Sequence, residues 1–363
     1  MRPIRILLVY AQADTNASYS YTHGWPLHFV RHPRFSCATV NLLDPGLLAS
    51  AHRLYRLSRW RGDAVVLLHS VASNAGYLTN PMVDRLGRLP GAKAYFIGNE
   101  YKHVPEKLAL AERVGTSLFV SQTRDPRSLA MYTGRLRCKV IGLPNTGLDT
   151  ETFRPVVPRS ERLVDLGYRS DVHAYYLGHT EREDIANYFQ THAAPLGLNV
   201  DISTSTSDRF AGRDWAAFLN RCKGQLGTEA GYDYFEITDR TRVAVNAFTD
   251  THPQAPFTDV WSQFFRDYRD PVPMRIISGR NVEAAGTKTV QLLFEGRYDG
   301  YFEPDVHYIP LEKDFSNADE AIAKFRDRSF SDRIVDNAYQ VAVDQLTYPQ
   351  LIDRFADALA PLM

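Results

Sequence analysis

The sequence predicts an α/β protein made of two doubly wound, Rossmann-like domains in series. Three observations predict it. Short apolar runs alternate with longer helical patterns, the sign of βαβ units around a mostly parallel sheet. Several of these runs lack polar alternation, as strands covered on both faces do. The pattern breaks off near the middle of the 363 residues and begins again, and a chain of this length exceeds what one hydrophobic core serves.

In the first half the predicted strands are 4–10, 64–69, 94–97, 117–121 and 139–141. In the second half they are 163–167, 174–177, 200–202 and 289–294, with a helix over 215–222. Between the halves stands "LPNTGLDTETFRP", residues 143–155. Pro144 and Gly147 interrupt secondary structure, Asn145 and Asp149 form turns, and Phe153 before Pro155 suits an apolar pin at a domain edge. The closing stretch "YPQLIDRFADALAPLM" spaces Leu351, Ile352, Phe355 and Leu359 along one helical face. The division expected is residues 1–150, residues 151–345 and a final helix within 346–363.

Forty-two basic residues balance forty-two acidic ones, so the long-range field that draws proteins onto nucleic acid is absent. Cys37, Cys138 and Cys222 are far apart and lack metal-ligand spacing, which fits buried thiols in a reducing compartment. The apolar run near the N-terminus is too short for a signal peptide or a membrane span, so a cytoplasmic protein is expected. One segment leaves peripheral contact with a membrane open. "AHRLYRLSRWRGD", residues 51–63, places Arg53, Arg56 and Arg59 on one helical face and Leu54, Leu57 and Trp60 on another. Such a helix suits an anionic lipid surface or an ordinary domain surface. No Walker loop, Gly-x-Ser-x-Gly elbow, HExxH or GxGxxG is present, so neither a dinucleotide cofactor nor a metal or hydrolase centre is indicated.

Open α/β sheets bind ligands beyond the carboxyl ends of their strands. There the sequence puts Arg169 after the run 163–167, Arg182 at the start of the next helix, and His69 at the end of the run 64–69. "GNEYKH", residues 98–103, adds Glu100, Tyr101 and His103, and the loop after the first strand holds His23 and Gly24. "EAAGTKT", residues 283–289, sets Glu283 before a Gly286–Thr287 turn. A carboxylate there suits a vicinal diol, because it offers two acceptor oxygens. Glu229, in "LGTEAGYDYFEITD", is a second candidate carboxylate, with Glu236 and Asp239 as rivals.

"PNTGLDTETFRP" closely resembles the inter-lobe linker of the GT-B glycosyltransferases, in particular the retaining family-4 group, with Thr146 inserted and Leu148 in the usual Val position. "RNVEAAGTKTVQLLFEG", residues 280–296, resembles the Arg-x-x-Glu-Ala stretch of the group-1, spore-maturation-protein-like members. The resemblance implies two lobes facing across a cleft, with the last helix packing back on the first. It implies metal-independent transfer, with retention, of a sugar from a nucleotide-sugar donor to a glycan, lipid-linked or other glycoconjugate acceptor, as in polysaccharide biosynthesis, without a cofactor. By the same resemblance Arg169 and Arg182 meet the diphosphate, Glu283 takes the ribose, and Arg280 belongs to the same nucleotide site. The amides at Gly286 and Thr287 approach the phosphates, and His69 with Glu229 positions the sugar. The acceptor side falls to His23, Gly24, Glu100, Tyr101 and His103. Where the family has Glu eight positions before its second Glu, this chain has Arg275. Glu229 then becomes the displaced first carboxylate, with residues 240–272 inserted. A sugar-nucleotide epimerase, a two-lobed binding protein and a non-catalytic partner subunit stay open as alternatives, and the sequence says nothing of oligomeric state.

Overall fold

The computed structural model describes residues 2–13, 20–74, 76–172, 174–269 and 271–363, without the side chains of 47–51 and 54. The chain divides into two compact units. Unit 1 comprises Met1–Gly147, Phe235–Asp239 and Tyr348–Met363; unit 2 comprises Leu148–Tyr234 and Arg240–Thr347.

Unit 1 holds six strands, β1 (Ile4–Tyr10), β2 (Phe35–Asn41), β3 (Ala64–Leu67), β4 (Ala92–Phe96), β5 (Leu118–Ser121) and β6 (Lys139–Gly142). All pair in parallel, in the order β2-β1-β3-β4-β5-β6. The helices between them are α1 (Ser20–Arg31), α2 (Leu47–Arg59), α3 (Asn80–Arg88), α4 (Val104–Val114) and α5 (Pro126–Arg135). Local chemistry sets their ends. Asp125 caps α5 by accepting from the amides of Arg127 and Ser128, and Gly115 closes α4 in the left-handed conformation. The central strand β3 is fully buried, whereas β6, at the sheet edge, begins with the exposed Lys139.

Unit 2 holds β7 (Val164–Arg169), β8 (Val200–Ser203) and β9 (Cys222–Gly227), then β10 (Ala230–Tyr232), β11 (Met274–Ile276), β12 (Val290–Phe294) and β13 (Ile309–Leu311). Five of these form a parallel sheet in the order β13-β12-β9-β7-β8, while β10 and β11 make a separate antiparallel pair. Its helices are α6 (Glu181–His192), α7 (Gly212–Arg221), α8 (Arg240–Thr251), α9 (Phe257–Phe264), α10 (Gly279–Gly286), α11 (Ala318–Arg326) and α12 (Arg328–Gln345). Helices α8 and α9 fill the segment between β10 and β11.

The last helix, α13 (Tyr348–Leu359), belongs to unit 1. Leu351, Ile352, Phe355 and Leu359 are fully buried there, with the Phe355 ring against Phe29, Phe35 and Phe96. Tyr348 lies across α1, where any side chain at Gly24 would meet its ring at 2.1 Å.

In each sheet the strand order reverses once, between β1 and β3 and between β7 and β9. These are the topological switch points, outside which doubly wound sheets bind ligands. Two sequence expectations are corrected. Residues 174–177 form not a strand but a single 3₁₀ turn, Tyr175–Leu177, ended by Gly178 at φ 81°. The expected helix 215–222 stops at Arg221, and Cys222 opens β9. The strands β2, β9, β10, β11 and β13 were not expected.

Candidate ligand site

In unit 2, the chain leaves β7 at Ser170 and β9 at Thr228 and Glu229, on either side of the switch point. The helices α6 and α10 begin at this same end of the sheet. Ser278 caps α10 in a reciprocal capping box with Asn281, and the first-turn amides of Gly279 and Arg280 precede any intrahelical acceptor. A helix start of this kind favours an anion.

Two cations sit at these helix starts. Arg182 and Arg280, both half-buried, form no hydrogen bond or ion pair with the described residues. Burial pushes the Arg280 guanidinium down to about 10, helped by repulsion from Arg209 and Arg182 and opposed by Glu283. Arg280 lies over the Trp215 ring at 4.7 Å. The same tryptophan donates from Nε1 to Oε2 of Glu283 at 2.7 Å, and Glu283 is buried. One indole thus steadies both a cation and a carboxylate. The phenol of Tyr168, at the end of β7, lies within the field of Arg182 and Arg280. Arg182 and Arg280 repel one another and Glu283 offsets that only in part, so this cluster is suited to a multivalent anion.

A second group surrounds Glu229. Its Oε1 accepts from the amide of Tyr298 (2.7 Å), and a Cβ on Gly296 would lie 2.6 Å from Oε2. Burial pushes the Glu229 carboxyl up to about 7, against the pull of Arg275 and the Tyr298 amide, with Asp299 and Glu181 adding to the rise. Arg275 itself forks onto Glu181, with both contacts at 2.9 Å, and gives Nε to Asp233 at 2.8 Å. Lys313 reaches Glu181 at 2.8 Å. Alongside, a cavity of about 610 Å³ opens beyond the ends of β12 and β13, lined by Glu295, Gly296, Arg297, Glu312, Lys313 and Asp314.

The structure brings together Arg182, Arg280 and Glu283 among the expected donor residues, and it moves three others away. Arg169 ends β7, two residues beyond the expected strand end, and spends its guanidinium internally. It donates to Asp201 Oδ1 (2.5 Å) and to the carbonyls of Asp201 (2.8 Å), Tyr168 (2.9 Å) and Asp208 (3.2 Å), and it lies over Phe218 at 4.5 Å. It is a strut between strands. Gly286 and Thr287 lie at the opposite end of the sheet, because α10 starts at the ligand end and runs away from it. A side chain at Gly286 would strike Leu148 at 2.3 Å, and Thr287 is fully buried, its carbonyl taken by Arg162. The amides of this helix that lack an intrahelical acceptor are at its start.

In unit 1, His69 falls at the switch point but does not emerge. It is 1% exposed, boxed by the rings of Tyr21, Trp25 and Phe96, and burial pushes its imidazole down to about 3. It therefore stays neutral. Of the acceptor-side residues, half-buried His23 takes a hydrogen bond at Nδ1 from Gln12 (2.7 Å), while Gly24 serves the packing of Tyr348. Glu100 is buried, accepting from Ser121 (2.8 Å), from the Gln122 amide (2.6 Å) and from Tyr132, so it is a core carboxylate. Burial raises its pKa. Tyr101 is half-exposed. His103 is exposed at the start of α4, its amide bonded to Asp239 Oδ2 (2.7 Å). With Glu106 these two bring ligand-type atoms within 4.8 Å of one another. The start of a helix already favours such carboxylates without a cation.

Sequence reasoning missed Trp215, Tyr168 and Glu181. No local signal marks the first, since its two partners stand more than sixty positions away.

No family model and no curated protein matches the sequence. Solved structures do. A glycosyltransferase from Rickettsia africae superimposes with a TM-score of 0.52 at 8% identity, over 100% of this chain and 99% of that one. Anabaena HepE, in complex with UDP and glucose, does so at 0.51 and 11%, over 99% and 100%. The N-terminal domain of Candida albicans trehalose-6-phosphate phosphatase matches at 0.50 and 10%, over 99% and 97%. The chain has the GT-B fold, in agreement with its linker and its Arg-x-x-Glu-Ala stretch. Among the described residues no helix is long and apolar enough to cross a membrane.

Proposed function

We propose that this chain is a glycosyltransferase that moves a sugar from a nucleotide-sugar donor, held by unit 2, to a glycan, lipid-linked or other glycoconjugate acceptor presented on unit 1. The observation that carries this is the pair Arg182 and Arg280, two guanidiniums that form no ion pair with the described residues, at the starts of α6 and α10. A departing nucleoside diphosphate supplies the charge they lack. Glu283, oriented by Trp215, accepts from the ribose hydroxyls. Glu229 accepts from hydroxyls of the donor sugar, next to the cavity beyond β12 and β13. Side-chain cations and helix amides neutralise the leaving group, so transfer proceeds without a metal, and with retention as the family resemblance implies.

The test is a thermal-shift panel of UDP, GDP, CMP and dTDP compounds in the presence of EDTA, followed by assay of nucleotide release with and without acceptor extracts. One nucleoside diphosphate should stabilise the protein by about 2.7 kcal/mol at a hundred times its Kd. Release should require both donor and acceptor. No shift from any nucleotide would sink the reading, and conversion of the donor without acceptor would replace it with epimerisation.

Glu229 gives this reading a pH signature. As a carboxylate acceptor, it should let donor affinity rise as pH climbs through about 7, and Glu229→Gln should flatten that profile. Stability runs the other way. A carboxyl raised from the ordinary 4.5 to about 7 by burial contributes stability that is full below about 4.5 and lost as pH rises through 7. Opposite slopes in binding and in unfolding, both abolished by the one substitution, are the expected result of urea titrations and calorimetry from pH 5 to 8.

A further inference from the structure

Unit 1 carries a cationic face that the donor site does not use. Residues 47–62 contain Arg53, Arg56, Arg59, Arg61 and His52 and no acidic residue, in a chain whose formal charge is zero. Beside them lies a groove of about 570 Å³ between α2 and α3, whose walls include Tyr55, Leu57, Pro81 and Met82, with Arg53 and Arg85 at its rim. Three of the arginines are held by neutral groups. Arg85 donates to the carbonyls of Leu57 and Ser58, Arg56 to His52, and Arg59 lies over the Tyr55 ring at 5.9 Å. Of the neighbouring acids, Asp63 is engaged by Arg2 and Arg5 and Asp84 by Arg113. Tyr55 stands 61% exposed in the middle of this face, an amphipathic ring of the kind that settles at a lipid–water boundary.

We propose that the α2–α3 face docks on a bilayer containing anionic phospholipid, with Tyr55 entering the acyl boundary and Arg56 and Arg59 meeting lipid phosphates. Charge complementarity selects an anionic partner. The apolar walls select an amphipathic one over a nucleic acid, whose backbone offers nothing to Tyr55, Pro81 and Met82. The proposal is independent of the reaction assigned to unit 2.

Flotation of the full chain with vesicles of phosphatidylcholine alone, or of phosphatidylcholine with 30% phosphatidylglycerol, tests it. The expected result is at least tenfold stronger partition onto the anionic vesicles, weakening as salt rises. Arg56→Glu with Arg59→Glu should abolish that preference, and Tyr55→Ser should reduce partition several-fold; both variants should keep the parent's circular dichroism and melting temperature. Equal binding to the two vesicles, binding to neither, or an unchanged preference in folded Arg56→Glu/Arg59→Glu protein would overturn the proposal. So would affinity for a short single-stranded DNA equal to that for anionic vesicles, which would mark a polyanion site without a lipid component.

Discussion

Arg275→Ala is expected to cost about 3–5 kcal/mol of unfolding free energy, because it strips the buried Glu181 carboxylate of its partner. Arg275 is 7% exposed and joins Glu181, also buried, to Asp233. Burial alone would raise the Glu181 carboxyl. Arg275, with His179 and Lys313, overcomes that and holds it down at about 2. A depressed carboxyl contributes stability that is present above its ordinary value and lost as pH falls through the folded value. The gap between parent and variant should therefore be widest near pH 7 and should narrow toward pH 3, as measured by urea unfolding. Arg275→Leu combined with Glu181→Leu should lose less than Arg275→Ala alone, since no buried charge is then left without its partner. A loss below about 1 kcal/mol would show that Lys313 suffices to hold Glu181 and that the fork is dispensable. Because Arg275 also lowers the Glu229 pKa, the variant should shift the pH profile of donor binding upward.

The fold was legible wherever burial is written in residue type. Residues 6–9 and Ala64–Leu67 are apolar without alternation and lie in interior strands. The chain passes from unit 1 to unit 2 between Gly147 and Leu148, within the turn-rich stretch 143–155. What stayed hidden was burial that depends on partners. The central strand of unit 2's sheet reads Cys-Lys-Gly-Gln-Leu-Gly, with no β-branched residue. Its Gly224 exists because a Cβ would meet Phe325 at 2.8 Å and Leu166 at 2.9 Å, a constraint imposed by residues far away along the chain. Conversely, Ala-Tyr-Tyr-Leu looks like a strand and is a turn, because Gly178 takes a left-handed conformation that ends it. Tertiary context overrides local propensity in both cases.

The site was legible in part for the same reason. Arg280 and Glu283 came from a motif whose spacing on one helix is fixed by the helix itself. Placing Arg169 depended on where β7 stops, and two extra strand residues turned a free cation into one locked against Asp201. Gly286 and Thr287 depended on which way α10 runs relative to the sheet, which only the strand order reveals. Arg275 was noticed as a breach of the family's carboxylate spacing. Its partners explain the breach, because the carboxylate it faces comes from Glu181, on another helix altogether.

Two substitutions separate the roles that converge on Trp215. On the proposed function, Arg280→Ala removes one charge-assisted contact to the diphosphate, worth about 1.5–3 kcal/mol, and should weaken UDP, or whichever nucleoside diphosphate stabilises the chain, by roughly 10- to 150-fold. It should leave the affinity for the corresponding nucleoside nearly unchanged. Trp215→Phe keeps an aromatic face beneath Arg280 but deletes the Nε1 donor to Glu283. Glu283, still buried, then loses a fixed orientation, so discrimination between the ribose and 2′-deoxyribose forms of the nucleotide should fall several-fold while the diphosphate contribution survives. Isothermal titration with diphosphate, monophosphate, nucleoside and 2′-deoxynucleotide resolves the two patterns. Arg169→Ala is the control that divides site from scaffold. With its guanidinium spent on Asp201 and three carbonyls, it should lower the melting temperature with little change in nucleotide affinity measured below that temperature. If Arg169→Ala instead abolished diphosphate binding in a stable protein, and Arg280→Ala did not, the cation pair at the starts of α6 and α10 would not be the seat of the leaving group.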